Sequence, residues 1–367
     1  MKHIALLFIL VVLSQPFHAQ KGIYRLLIGT YTNTGKSQGI YSYEVDRNAS
    51  VFNQKTVATD VSNPSYLAIT QDKKYVYSVN ESKDGSAANA FSFDDKAAGF
   101  TLLNRSLTEG SGPCYILTSD KHVFTANYGG GSISVFGRNP DGSLTGLQQK
   151  VQHTGSSINK ERQSKPHVHQ VILSPDKKYV VANDLGTDLV TVYAYHPESK
   201  TEILVLWDTL SVKPGSGPRH ATFSKDGKKL YLLQELDGSL SVINMNNGKL
   251  SLVQEMSVIG KNKIKAWAAD IHFSPDYKFL YATNRAPANN ITCFSVAEDG
   301  KLKCINQVST GGDGPRNFAF TPDGEYLFVA HQFSDNVVVF KRDPKTGFLT
   351  NTGKQIKVGA PVCLLFY

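Results

Sequence analysis

Ten side chains able to move protons or hold anions recur at comparable points along the chain: His167, His169, Arg219, His220, Glu235, Asp270, His272, Arg285, Arg316 and His331. Imidazole and carboxylate serve acid–base chemistry, and guanidinium stabilises a developing oxyanion or binds a carboxylate or phosphate. A bland use must be weighed for each. His220 and His272 could be hydrogen-bonded between neighbouring units, and Arg219, Arg285 and Arg316 could form salt bridges within the scaffold. Three guanidiniums on one surface would be costly without anions, so at least one is expected to meet a ligand. His167 and His169 alternate along a strand and could both ligate a metal, yet no third ligand stands at a metal-binding spacing, and no metal or cofactor is expected.

Several other chemistries lack support. Asn127-Tyr128-Gly129-Gly130-Gly131-Ser132 is glycine-rich but runs from strand to strand, without the helix N-terminus that a phosphate-cradling loop needs. It reads as a turn requiring positive φ or close backbone approach. No Gly-x-Ser-x-Gly elbow supports a serine nucleophile. The formal charge of +8 is dispersed, with no basic run suited to nucleic acid. Four cysteines are too few for a disulfide framework, although Cys293 and Cys304 flank a hairpin turn and could face each other.

The elements that must position these residues are strands. The 367-residue chain is 41% hydrophobic, with 17 Tyr and 19 Phe against 3 Met and 2 Trp, and its apolar runs are rich in Val, Ile, Tyr and Phe. Pro64, Pro113, Pro166, Pro218, Pro315 and Pro361 recur at similar spacing, with Ala269-Asp270 in the remaining slot. Each repeat continues through a short alternating run, an Asp-centred turn such as Ser174-Pro175-Asp176 or Thr321-Pro322-Asp323-Gly324, and further strands. Four strands in about 50 residues make one propeller blade. The expected fold is an all-β, seven-bladed β-propeller. Its ring closes within one blade, where the C-terminal strand 362–367 joins N-terminal strands 26–32, 39–46 and 51–59, and truncating the last six residues should open it.

In such a ring the start of each inner strand and the end of the next strand surround one mouth of the channel. The start positions read as Ser65, Cys114, His167, Arg219, Asp270, Arg316 and Val362. The end positions read as Thr30-Tyr31, Asn80-Glu81, Asn127-Tyr128, Asn183-Asp184, Gln234-Glu235, Asn284-Arg285 and His331-Gln332. The polar candidates therefore converge.

At the N-terminus, Lys2 and His3, the apolar run 4–13, Pro16 and Ala19 form the pattern of a secretory signal peptide, with cleavage after Ala19. Residues 1–19 are expected to be a leader for an exported protein, and residues 20–367 a single propeller domain.

Taken together, Ile28-Gly29-Thr30-Tyr31-Thr32, Ala126-Asn127-Tyr128-Gly129-Gly130-Gly131-Ser132, Lys165-Pro166-His167-Val168-His169, Gly217-Pro218-Arg219-His220 and Gly314-Pro315-Arg316 resemble the seven-bladed propeller lactonases. That family holds bacterial 6-phosphogluconolactonases and fungal carboxy-muconate lactonising enzymes. The resemblance runs from about residue 24 onward. It implies a catalytic set of His169 (His167 less favoured), Arg219, Glu235 and Arg285; the mouth positions themselves add His167, Arg316, Asn127, His331 and Asp270 as substrate-binding candidates. On that reading Glu235 or His169 activates water, the other acts as acid, and the arginines hold the oxyanion and any anionic group of a sugar-derived lactone. Replacing Arg219 and Arg285 by Met should then abolish turnover and keep the fold. A leader sequence would set the chain apart from a cytoplasmic enzyme of a phosphorylated lactone and leave an unphosphorylated aldonolactone open. The expected partner is a small sugar lactone, with neither nucleic acid nor membrane, for a monomer. A non-catalytic glycan- or protein-binding propeller and a muconate-type cycloisomerase are the alternatives.

Overall fold

The computed structural model describes residues 22–259 and 265–367; the leader expected at residues 1–19 lies outside them. The described residues form seven four-stranded antiparallel sheets. Blades 1 to 6 run in chain order, with inner strands Leu67–Ile69, Pro113–Thr118, Val168–Leu173, Pro218–Phe223, Ala268–Phe273 and Pro315–Phe320. Blade 7 joins the C-terminal strand Pro361–Phe366 to Ile23–Thr30, Ile40–Asp46 and Phe52–Ala58, as the sequence predicts.

The Asp-centred turns follow from local hydrogen bonding. Ser174, Ser224, Ser274 and Thr321 each donate to the Asp two residues on, at 2.5–2.8 Å, and that carboxylate in turn accepts the backbone N–H two residues further along. A side-chain oxygen thus substitutes for backbone partners that a tight reversal leaves unpaired.

Apolar clusters fill the wedges between adjacent blades. One of them joins Tyr24, Leu26, Ile28 and Val45 of blade 7 to Phe328, Val337 and Val339 of blade 6. Face-to-face packing of this kind makes each blade the neighbour's core, while the outermost strands stay half exposed; in 204–211 Leu206 and Trp207 are open to solvent.

Two expectations need correction or completion here. Cys293 and Cys304 do not oppose each other: a register shift pairs Cys293 with Asn306 and Phe294 with Cys304, so Cys293 is buried, Cys304 is exposed, and all four cysteines are free. In the glycine-rich segment Gly131 has φ of +62°, and a Cβ there would sit 2.6 Å from the Pro166 carbonyl oxygen. Both conditions inferred for that turn are therefore present.

Candidate active site

The channel mouth is built by a repeated irregularity. Near the start of the inner strand in blades 2 to 6 the ladder slips, between Pro113 and Tyr115, Val168 and Gln170, Pro218 and His220, Ala268 and Ile271, and Pro315 and Asn317. A β-bulge leaves one residue unpaired and re-aims its side chain. The residues so released include Cys114, His169, Arg219 and Arg316, which with Ser65 and Val362 line a narrow part of the channel. Above them stand the residues that follow the ends of the second strands: Tyr31, Glu81, Tyr128, Glu235 and Arg285. Together the tiers enclose a cavity of about 230 Å³, completed by Arg162 and Trp267.

Glu235 is the hub. Its Oε1 accepts from Arg162 at 2.6 Å, and its Oε2 meets Arg219 Nε and Arg285 Nη2, each at 2.9 Å. Arg285 also donates to the Trp267 and Ala268 carbonyls, and its guanidinium lies 4.1 Å from the centre of the Trp267 ring. Arg219 donates to the Ala269 carbonyl. Burial opposes ionisation of Glu235, but Arg285, Arg219 and Arg162 outweigh it and hold the carboxyl at about 2. Glu235 is therefore a carboxylate with both oxygens occupied, unable to donate a proton at neutral pH and poorly placed to accept one. Burial and the charge of Arg219 push His169 well below the usual imidazole range, so its ring is neutral; its Nδ1 is buried without a hydrogen-bond partner. Burial likewise raises the Cys114 thiol, which argues against a thiolate nucleophile.

Arg316 differs from the other three arginines. It makes no hydrogen bond or ion pair among the described residues, and its guanidinium sits 5.5 Å from the centre of the Tyr31 ring. Three guanidiniums, Arg162, Arg285 and Arg316, thus line the cavity with two carboxylates, Glu235 and Glu81, and Arg219 lines the narrower part of the channel beside it.

The structure brings together His169, Arg219, Glu235, Arg285 and Arg316. It separates the other candidates, for definite reasons. His167 lies two residues before the bulge position that Arg219 occupies in the next blade; its ring stacks on Tyr128 at 4.4 Å and its Nδ1 faces the Tyr128 carbonyl. His169 meets the same tyrosine edge-on, so the two imidazoles clasp an aromatic ring rather than converge on a metal. Among the described residues no group of three His, Cys, Asp or Glu is arranged to hold one. Asn127 is the last residue of its strand, and the pleat turns it inward to Ser132 and Ser134 while Tyr128 takes the cavity position. His331 is likewise fully buried, outside the cavity lining. Asp270 lies one residue beyond Ala269, deeper in the channel, where it takes hydrogen bonds from His220 (2.8 Å), His272 (2.9 Å) and Asn317 (2.6 Å). His220 therefore makes the hydrogen bond between blades expected of it, whereas His272 bonds Asp270 of its own strand, two residues away.

Arg162 and Trp267 escaped sequence reasoning because both lie in connectors outside the repeat. The available signal for Arg162 was length: residues 153–167 link blades 2 and 3, whereas 108–112 link blades 1 and 2.

The channel mouth of this seven-bladed propeller thus holds a cationic cavity beside a neutral histidine. The family described as "Lactonase, 7-bladed beta-propeller" matches residues 25–366, and the chain belongs to it. Among similar proteins, the 6-phosphogluconolactonase of Bacillus subtilis is 34% identical over 92% of this chain and 97% of its own length. The 6-phosphogluconolactonase of Formosa agariphila is 33% identical over 93% and 99%. Among solved structures, the periplasmic gluconolactonase PpgL of Pseudomonas aeruginosa superposes with a TM-score of 0.88 at 35% identity, covering 94% of this chain and 99% of that one. These relatives support a lactone-hydrolysing function.

Proposed function

We propose that the protein hydrolyses a sugar-derived lactone of the aldonolactone type. The observation that carries this reading is Arg316, a guanidinium lining the cavity with no hydrogen-bond or ion-pair partner among the described residues, beside a neutral His169 and the Glu235-bound arginines. Arg316 is only partly buried and its charge is favoured at a distance by Glu81 and Glu235, but a ligand oxygen bearing full or developing negative charge would give it the direct partner it lacks. The cavity, about 230 Å³, is below the range of roughly 300–1,000 Å³ typical of drug-sized ligands and suits a single sugar ring.

Ring opening by water needs a base for the attacking water, charge stabilisation for the tetrahedral oxyanion, and a proton for the departing alkoxide. His169, neutral before substrate binds, takes the proton from water; Arg316, with Arg219 and Arg285, faces the oxyanion. The imidazolium formed at His169 returns the proton to the ring oxygen as the C–O bond breaks. Glu235 contributes no proton: it fixes three arginines in place and tempers their charge, which otherwise disfavours protonated His169.

Export through the 1–19 leader belongs to the same proposal, and the name of the Pseudomonas relative supports it. The test measures opening of D-glucono-δ-lactone and 6-phosphogluconolactone against their spontaneous rates, with and without chelator. Acceleration that survives chelator upholds the reading, and the ratio of the two substrates reports whether phosphate is read. No acceleration of either would overturn it.

A further inference from the structure

Glu81 is the second carboxylate of the cavity and differs from Glu235 in every contact. It follows the second strand of blade 1, Tyr75–Asn80, three blades around a seven-membered ring from Glu235 in blade 4, and so faces it across the channel. Its Oε2 accepts from the Tyr31 hydroxyl at 3.0 Å and from the Ser65 hydroxyl. Its backbone is held as well: Glu81 N–H donates to the Asn63 carbonyl at 3.2 Å, and Asn63 Nδ2 donates to the Glu81 carbonyl at 3.0 Å. Among the described residues no ion pair joins it to Arg162, Arg219, Arg285 or Arg316, and its Oε1 has no hydrogen-bond partner.

A carboxylate oriented by two hydroxyls and a braced backbone, with one oxygen open to a cavity, is an acceptor awaiting donors. It repels a ligand carboxylate or phosphate and favours hydroxyl groups. The opposite wall, with Glu235-bound Arg285 and Arg162, has the reverse preference, and Arg316 lies against Tyr31, the residue that bonds Glu81. A ligand with an electron-rich carbonyl or anionic end and a hydroxylated edge therefore has one orientation of matched charge.

We propose that Glu81 is a specificity-determining residue that accepts hydrogen bonds from the ring hydroxyls of the substrate and so selects polyhydroxylated lactones over those decorated with carboxylates. The assignment rests on the lactonase reading for its substrate but not for its ligand chemistry, which gluconate, the open-chain polyol acid, also presents.

The test is Glu81→Gln in the full chain, which keeps the size of the side chain and can still accept from Tyr31 and Ser65. A hydrogen bond to a charged group is strong enough that its weakening should raise KM for D-glucono-δ-lactone about 10- to 100-fold, with kcat changing less than about threefold. Calorimetric affinity for gluconate should fall by a similar factor, while affinity for inorganic phosphate, which has no polyol chain, holds or tightens. A fall in kcat at constant KM would overturn the assignment in favour of a proton-transfer role. Parallel weakening of gluconate and phosphate would reduce Glu81 to a structural part, and unchanged constants would remove it from recognition altogether. Should the wild-type protein open no lactone, the hydrolase reading fails by itself. Glu81 is then judged on gluconate alone: binding that Glu81→Gln loses sustains the proposal, and binding that is absent or unaltered ends it.

Discussion

Removing Arg219 and Arg285 together leaves Glu235, a carboxylate only 3% exposed, with Arg162 as its remaining guanidinium partner. Breaking a buried ion-pair network from one side costs about 3–5 kcal/mol, because an undercompensated charge stays behind. The double Met variant, expected from sequence to keep its fold, is therefore predicted to melt well below the wild type, which a thermal scan of both proteins will show. Arg316→Met separates function from stability: it breaks no hydrogen bond in the protein, so Tm should move little, while kcat/KM for lactone opening falls at least about 100-fold. Comparable kcat/KM for that variant would remove Arg316 from the mechanism. His331 gives a prediction about pH. Both its ring nitrogens are buried without partners, and burial lowers its pKa to about 4. The folded value lies below the unfolded value of about 6.5, so the unfolded state takes up the proton first and stability is lost as pH falls from about 6.5 to about 4. His331→Leu should remove about 2–3 kcal/mol of that loss between pH 7 and 4.5, read from urea titrations at the two values.

The strand is where most of the positioning is decided. In blades 2, 4 and 6 the proline stands directly before the bulge residue, so alignment on proline finds Cys114, Arg219 and Arg316. In blade 3 the matching position is Val168, two residues after Pro166, and in blade 5 it is Ala268, with no proline in the slot, so the alignment placed His167 rather than His169, and Asp270 rather than Ala269, at the channel. The pleat explains Asn127 and His331 in the same way: the repeats located the end of each strand correctly, but only the following residue points into the cavity. Arg219, Glu235, Arg285 and Arg316 were legible because the Gly-Pro-Arg motifs and strand ends fix them within one residue. Arg162 and Trp267 belong to connectors whose course no periodicity encodes. The glycine-rich turn of blade 2 also has a measurable consequence. Gly131→Ala puts a methyl group against Pro166 at a positive φ, and a destabilisation of more than about 1 kcal/mol is expected in denaturant titration.

Across the whole molecule, the seven blades share their cores pairwise, so loss of one strand propagates to both neighbours. The C-terminal strand is the inner strand of blade 7 and buries Val362, Cys363 and Leu364. Deleting residues 362–367 should cost on the order of 5 kcal/mol, comparable with the entire stability of many domains. A truncated chain that still unfolds cooperatively at the wild-type midpoint would show that the ring does not depend on this closure. The pairing of Ile28 with Leu364 also sets an order of events in the cell. Strand Ile23–Thr30 finds its inner partner Pro361–Phe366 only after some 330 further residues have been made. At roughly 5–20 residues per second that interval is on the order of a minute or less. Throughout it blade 7 has an unpaired edge and the ring stays open, so completion of the propeller waits for residues 361–366 to be made.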